Sequence, residues 1–295
     1  MNRAPLFLPG RTVIFDYGEV ISLPQSKADQ AVIECLAGVG GDEARAARFW
    51  AAYQAHRDAL DQGTLDVAGF WRAVAGDTGA SWNQARVHEL WVADLRSWIS
   101  VNPETVEVLA DLKAGRTPLA LLSNAGPDLG SYFRHGPIGD FFDACYVSGE
   151  LGLLKPNADI YQHVLGDLGI TAAEAVFIDN RAANVAGAQA IGITGHVFTG
   201  GAGLRAFLGE LADLPARPLG RRPGRRSPGG VRPGRGQLGH ARRRRLRWRG
   251  RCHRRRCHRG LRHRGLGRAH GGHGAVAPHD HDAGGHRLVP LPRIG

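Results

Sequence analysis

Three apolar runs of the chain end on polar side chains, and a lysine follows a fourth. Asp16 closes TVIFD, Ser123 closes LALLS with Asn124 behind it, and Asp179 closes AVFID with Asn180 behind it. Lys155 lies between the run ACYVS and the helix that follows Pro156. Ligands of an open parallel sheet bind beyond the carboxyl ends of its strands, so these residues would share one edge. Two carboxylates, a hydroxyl and an ammonium at one edge make a site for a divalent cation and a phosphoryl group. Singly, an Asp or Ser at a strand end also serves as a turn or cap residue. Their order and spacing carry the chemistry.

The elements that must position them are legible as short apolar runs alternating with amphipathic stretches. Residues 12–16, 119–123, 144–148, 175–179 and 195–198 read as strands buried on both faces. Between them, Asn102 and Pro103 open a helix with Val106, Leu109 and Leu112 on its apolar face, which Gly115 ends. A second helix carries Tyr161, Val164, Leu165 and Leu168, and a third carries Val185, Ala188 and Ile191 before stopping at Gly192. The alternation predicts an α/β fold, a Rossmann-like doubly wound parallel sheet. Residues 22–101 interrupt it with helical stretches only and hold Trp50, Trp71, Trp82, Trp91 and Trp98. They read as an inserted helical cap whose tryptophans pack its own core; the alternative is that one or two of them face the site and shape a pocket. The core would then be residues 1–21 and 102–214.

Charge divides the chain. Residues 215–295 hold 23 arginines, no lysine and two acids, whereas the preceding 214 hold 15 basic and 25 acidic residues. The net charge of +11 therefore belongs to the tail. The tail is too poor in apolar residues to offset its ordering entropy and is expected to be disordered. Three readings of it compete: a basic arm binding nucleic acid through phosphates, a zinc site, or a GC-rich gene read in the wrong frame. Cys252, His253, Cys257 and His258 lack a second pair at zinc-ligand spacing. Cys35 and Cys145 read as unpaired buried thiols of a reducing compartment. With no membrane-spanning run, the expected location is cytoplasmic. The oligomeric state is left open.

FDYGEVI, LLSNA, LLKPNADIYQHVL and VFIDNRAANVAGAQAIGI resemble, in that order, the four motifs of the haloacid dehalogenase (HAD) superfamily. The resemblance covers about residues 11–200 and leaves the tail out. The insertion is similar to the cap of the subgroup that includes sugar-phosphate phosphatases, the phosphatase domain of soluble epoxide hydrolases and 2-haloacid dehalogenases. Bacterial α-D-glucose-1-phosphate phosphatases are nearest in pattern. What the resemblance implies is a phosphatase of a small phosphorylated metabolite. Asp16 would attack phosphorus with Lys155 keeping it ionised. Asp16, the backbone carbonyl of Gly18, Asp179 and Asn180 would hold Mg²⁺, and Ser123, Asn124 and Lys155 would bind the substrate.

Two positions depart from the family pattern. Gly18 stands where a second aspartate usually protonates the leaving group, and Asn180 where an acid usually completes the metal site. Leaving groups of low pKa would then be favoured, such as a sugar 1-phosphate or an aryl phosphate. Three alternatives follow: a catalytically impaired binding protein of the same fold, a 2-haloacid dehalogenase-type hydrolase needing no metal, and a nucleic-acid-binding protein acting through the tail.

Overall fold

The structure, a computed structural model, describes residues 5–213. The Arg-rich segment 215–295, with the disorder and nucleic-acid readings attached to it, lies outside the described residues. Five strands form one parallel sheet: β1 (Thr12–Phe15), β2 (Leu119–Ser123), β3 (Ala144–Val147), β4 (Ala175–Asp179) and β5 (Thr194–Val197), in the order β3-β2-β1-β4-β5. Ten α-helices accompany them among the described residues. Four follow β1 directly: α1 (Lys27–Ala37), α2 (Glu43–Asp61), α3 (Val67–Thr78) and α4 (Gln84–Ser97). The others are α5 (Pro103–Ala114), α6 (Gly130–His135), α7 (Ser148–Leu151), α8 (Ala158–Leu168), α9 (Ala182–Ala190) and α10 (Gly201–Asp213).

Alternation along the central strands explains why both faces of the sheet are covered. Val13, Phe15, Leu119, Leu121, Val176 and Ile178 point to one face and pack with Leu109 of α5 and Leu204 and Leu208 of α10. Ile14, Ala120, Leu122 and Phe177 point to the other, against Ile160, Tyr161 and Val164 of α8 and Ala188 of α9. The outer strands differ from the reading of full burial. β5, at the edge, has no buried residue, and the first half of β3 is half-buried. An edge strand lacks a neighbour on one side, so Val197 there is exposed. Cys35 is likewise exposed and Cys145 half-buried, so neither is the buried thiol expected.

Helices α1 to α4 build a separate apolar cluster around Phe49, Tyr53, Phe70, Trp71 and Leu90, with Trp50, Trp82 and Trp91 packed against it. The Ser26, Asp42, Asp66 and Asn83 side chains cap these four helices. Entry to and exit from this region run antiparallel side by side. Ser22 bridges Val101, Leu23 N–H donates to the Ser100 carbonyl at 2.7 Å, and Asn102 N–H donates to the Ile21 carbonyl at 2.7 Å. Two adjacent crossings form a narrow neck, which leaves the helical insert free to sit over the sheet edge where β1, β2 and β4 end. No helix among the described residues is long and apolar enough to cross a membrane.

Candidate active site

The parallel register brings the ends of β1, β2 and β4 level, and a single ammonium joins them. Lys155 Nζ donates to Asp16 Oδ1 at 2.7 Å, to Asp179 Oδ2 at 2.8 Å and to the Leu122 carbonyl at 2.9 Å. All three of its protons are thereby used, which fixes a long side chain in one geometry. Lys155 and Asp16 are 4% and 7% exposed and Asp179 is fully buried, so these charges sit where desolvation is costly. Burial pushes Asp16 up to about 6; Lys155 pulls in the opposite direction and Asp179 adds to the rise. Burial alone would lower Lys155, but Asp16 and Asp179 together hold it above its ordinary value. The lysine is thus a permanent cation, and the carboxylate beside it is poised rather than fully stabilised.

Around this chain of charges lies a cavity of about 270 Å³ between the strand ends and the helical insert. The sheet edge supplies Asp16, Gly18, Ser123, Asn124, Lys155 and Asn180 to its wall. The insert supplies Gln25, Gln54, Arg57, Asp58, Asp61 and Trp98. Of the five tryptophans, Trp98 alone lines this cavity. Asp16 Oδ2, the oxygen not held by Lys155, lies on the Gly18 side, 3.9 Å from where a Cβ at residue 18 would stand.

The family model for haloacid dehalogenase-like hydrolases matches residues 11–192, which span these strand ends and the insert between them. The chain belongs to that family. It is 33% identical over 89 residues to a sesquiterpene phosphatase of Aspergillus oryzae, covering 30% of this chain and 45% of that protein. It is 30% identical over 95 residues to an (S)-2-haloacid dehalogenase of a Pseudomonas species, covering 32% and 42%. These alignments span under half the length of either relative. A D-ribitol-5-phosphate phosphatase of Bacteroides thetaiotaomicron is 22% identical over 185 residues, 59% of this chain and 85% of that protein. The crystal structure of a HAD family enzyme from the same bacterium shares the fold, with a TM-score of 0.50 at 19% identity over 63% of this chain and 92% of that one.

Within this HAD fold, two of the residues singled out in the sequence, Asp179 behind the cavity and Asn124 in its wall, hold neighbouring residues in place. Asp179, expected on the metal, accepts from Arg181 N–H on Oδ1 at 2.8 Å, and from Lys155 and Asn184 Nδ2 (2.9 Å) on Oδ2. With both oxygens taken by protein donors and no exposed surface, its carboxylate orients Lys155. Asn124, expected on the substrate, closes a reciprocal pair with the Lys155 backbone: Nδ2 donates to its carbonyl and Oδ1 accepts its N–H, both at 3.0 Å. Its amide therefore fixes the loop from which Lys155 projects. Asn184, in the first turn of α9, escaped the sequence reading; its place five residues after Asp179 was the available signal.

The cap wall was also not foreseen. Arg57 Nε donates to Asp61 Oδ1 at 2.9 Å, while Nη1 donates to the Tyr53 hydroxyl at 2.6 Å and to Asp94 Oδ2 at 3.4 Å. Tyr53 in turn donates to Asp94 Oδ1 at 2.7 Å. Burial pushes Asp61 up to about 6 against the pull of Arg57. Arg57 answers two buried carboxylates, so Arg57→Met is expected to leave both without a cation and to destabilise the protein by about 3–5 kcal/mol. Arg57→Lys keeps the charge but loses the planar fork, and should cost about half as much. Urea unfolding of the two variants beside the parent checks this; equal stability of all three would contradict it.

Proposed function

We propose that the chain is a Mg²⁺-dependent phosphatase of small phosphorylated metabolites that works through an aspartyl-phosphate on Asp16. One observation carries the reading. Asp16 and Asp179 share the single ammonium of Lys155 at the buried strand ends, leaving one carboxylate in excess there. An anionic substrate enters such a site only if a cation neutralises it.

The donors present suit magnesium of modest affinity. Among the described residues no three His, Cys, Asp or Glu side chains converge as a metal cage. Mg²⁺ does not require one, because it commonly takes one or two carboxylates and fills its octahedron with waters and phosphate oxygens. Asp16 Oδ2, the Gly18 carbonyl and the Asn180 amide oxygen are the protein atoms that would hold it; Asp179 would contribute charge from behind. Bound there, the ion would neutralise the phosphoryl oxygens and lessen their repulsion of the nucleophile.

The chain's own residues would then divide the work. Lys155 keeps Asp16 ionised and aimed, and Ser123 donates its hydroxyl to a phosphoryl oxygen. Asp16 attacks phosphorus, the bond to the leaving oxygen breaks, and the alkoxide takes its proton from water because residue 18 offers none. Water then hydrolyses the acyl phosphate, releasing inorganic phosphate and restoring Asp16.

Dehalogenation is the competing chemistry, favoured by the missing acids at positions 18 and 180 and by the dehalogenase relatives. Phosphate release from p-nitrophenyl phosphate and a panel of sugar and polyol phosphates, followed with Mg²⁺ and then with a chelator, tests the proposal. Metal-dependent phosphate release is expected. Chloride release from 2-chloropropionate without metal, together with inert phosphates, would overturn it.

A further inference from the structure

Glu19, on the sheet-edge side of the cavity, is a carboxylate that the proposed reaction does not use. Glu19 sits at φ +57°, a left-handed conformation that only one other non-glycine, Arg116, adopts among the described residues. The turn holding it is tied down: Glu19 N–H donates to Ser22 Oγ at 3.0 Å, and Ile21 and Ser22 N–H both donate to the Tyr17 carbonyl at 2.9 Å. From this turn Glu19 Oε2 accepts a hydrogen bond from Asn180 Nδ2 at 3.0 Å, across 161 positions of sequence. Both residues line the cavity.

An amide has one donating and one accepting end. With Nδ2 held by Glu19, Asn180 has Oδ1 left for a cation. Position 180 also lacks the charge an acid would bring, and the carboxylate of Glu19 stands one hydrogen bond away from it. We propose that Glu19 is a positioning residue for the metal, which fixes the Asn180 amide with its oxygen available to the cation and supplies the negative charge that residue 180 lacks. This rests on the metal-dependent reading above. It also gives the strained turn a use, since strained backbone persists where its surroundings over-determine it.

A turn residue without this role would be served equally by glutamine, whose Oε1 accepts the same bond from Asn180. Charge is what separates the two accounts. Glu19→Gln is expected to weaken Mg²⁺ binding about ten-fold, the lower end of what outer partners of metal ligands contribute. Asn180→Asp alone sets two carboxylates against each other and should gain little. Combined, Glu19→Gln and Asn180→Asp exchange the acid and the amide, and should return the affinity to the parent's value or better, a coupling that independent sites do not show.

The experiment is calorimetric titration of Mg²⁺ into the full chain and the three variants without substrate, with metal-free thermal unfolding as the check on folding. Unchanged affinity in Glu19→Gln, or effects that simply add in the double variant, would overturn the proposal while leaving the phosphatase reading intact. No Mg²⁺ binding by the parent, with p-nitrophenyl phosphate turnover indifferent to metal, would overturn both.

Discussion

Asp16→Asn is expected to lower turnover at least about 10⁴-fold, because a neutral amide cannot serve as the nucleophile of a covalent route. The fold should survive the change. Asparagine has nearly the same shape, and burial already pushes the Asp16 carboxyl up to about 6, so removing its charge also removes a desolvation cost. Lys155 keeps two of its three acceptors, Asp179 and the Leu122 carbonyl. Single-turnover phosphate release beside thermal unfolding separates lost chemistry from lost structure. A folded variant retaining more than about one part in a hundred of parental turnover would remove Asp16 from the nucleophile's role, since general electrostatic help does not replace a missing covalent step. Phosphatase and dehalogenase chemistry both need this carboxylate, so the substitution tests the nucleophile and the substrate panel tests the reaction.

The residues at the strand ends were readable for a physical reason. A parallel strand buried on both faces appears in sequence as an unbroken apolar run, and the charged residue that ends it stands out. Hence Asp16, Ser123 and Asp179 were found from the pattern of apolar runs, and the parallel register brings their strand ends to one edge. Their partners were another matter. Whether Asp179 faces a cavity or a lysine depends on a few ångströms, and Lys155, 24 positions earlier in the chain, occupies it. Asn124 is similar: its type fits a ligand contact and a loop clamp equally well. The cap wall was less visible still. Arg57, Asp61 and Asp94 look like solvated charges on amphipathic helices, and only the folded insert brings the Arg57 and Tyr53 side chains of α2 to Asp94 of α4. The left-handed turn at Glu19 carried no signal, because such a conformation at a non-glycine residue cannot be inferred from its side chain. Strand ends were thus legible, while contacts made between separate elements were not.

Gly18→Asp is expected to raise turnover of alkyl phosphates, such as polyol phosphates, by about 10²-fold, the lower range of general acid assistance. p-Nitrophenyl phosphate should gain far less, because its leaving group departs without a proton. The backbone admits the change: Gly18 does not occupy the left-handed region, and a Cβ there meets nothing within 4 Å except Asp16 Oδ2 at 3.9 Å. The nearby Asp16 carboxylate would favour the protonated form of the new acid. Added bulk or a stronger metal site could mimic part of the effect, and Gly18→Asn distinguishes them. The amide reproduces the size and offers an oxygen to the cation but has no acidic proton, so it should leave the alkyl-to-aryl rate ratio where the parent has it. A folded Gly18→Asp variant whose alkyl-to-aryl ratio also stays at the parental value would mean that leaving-group protonation does not limit this enzyme, and that the glycine is not what restricts its substrates.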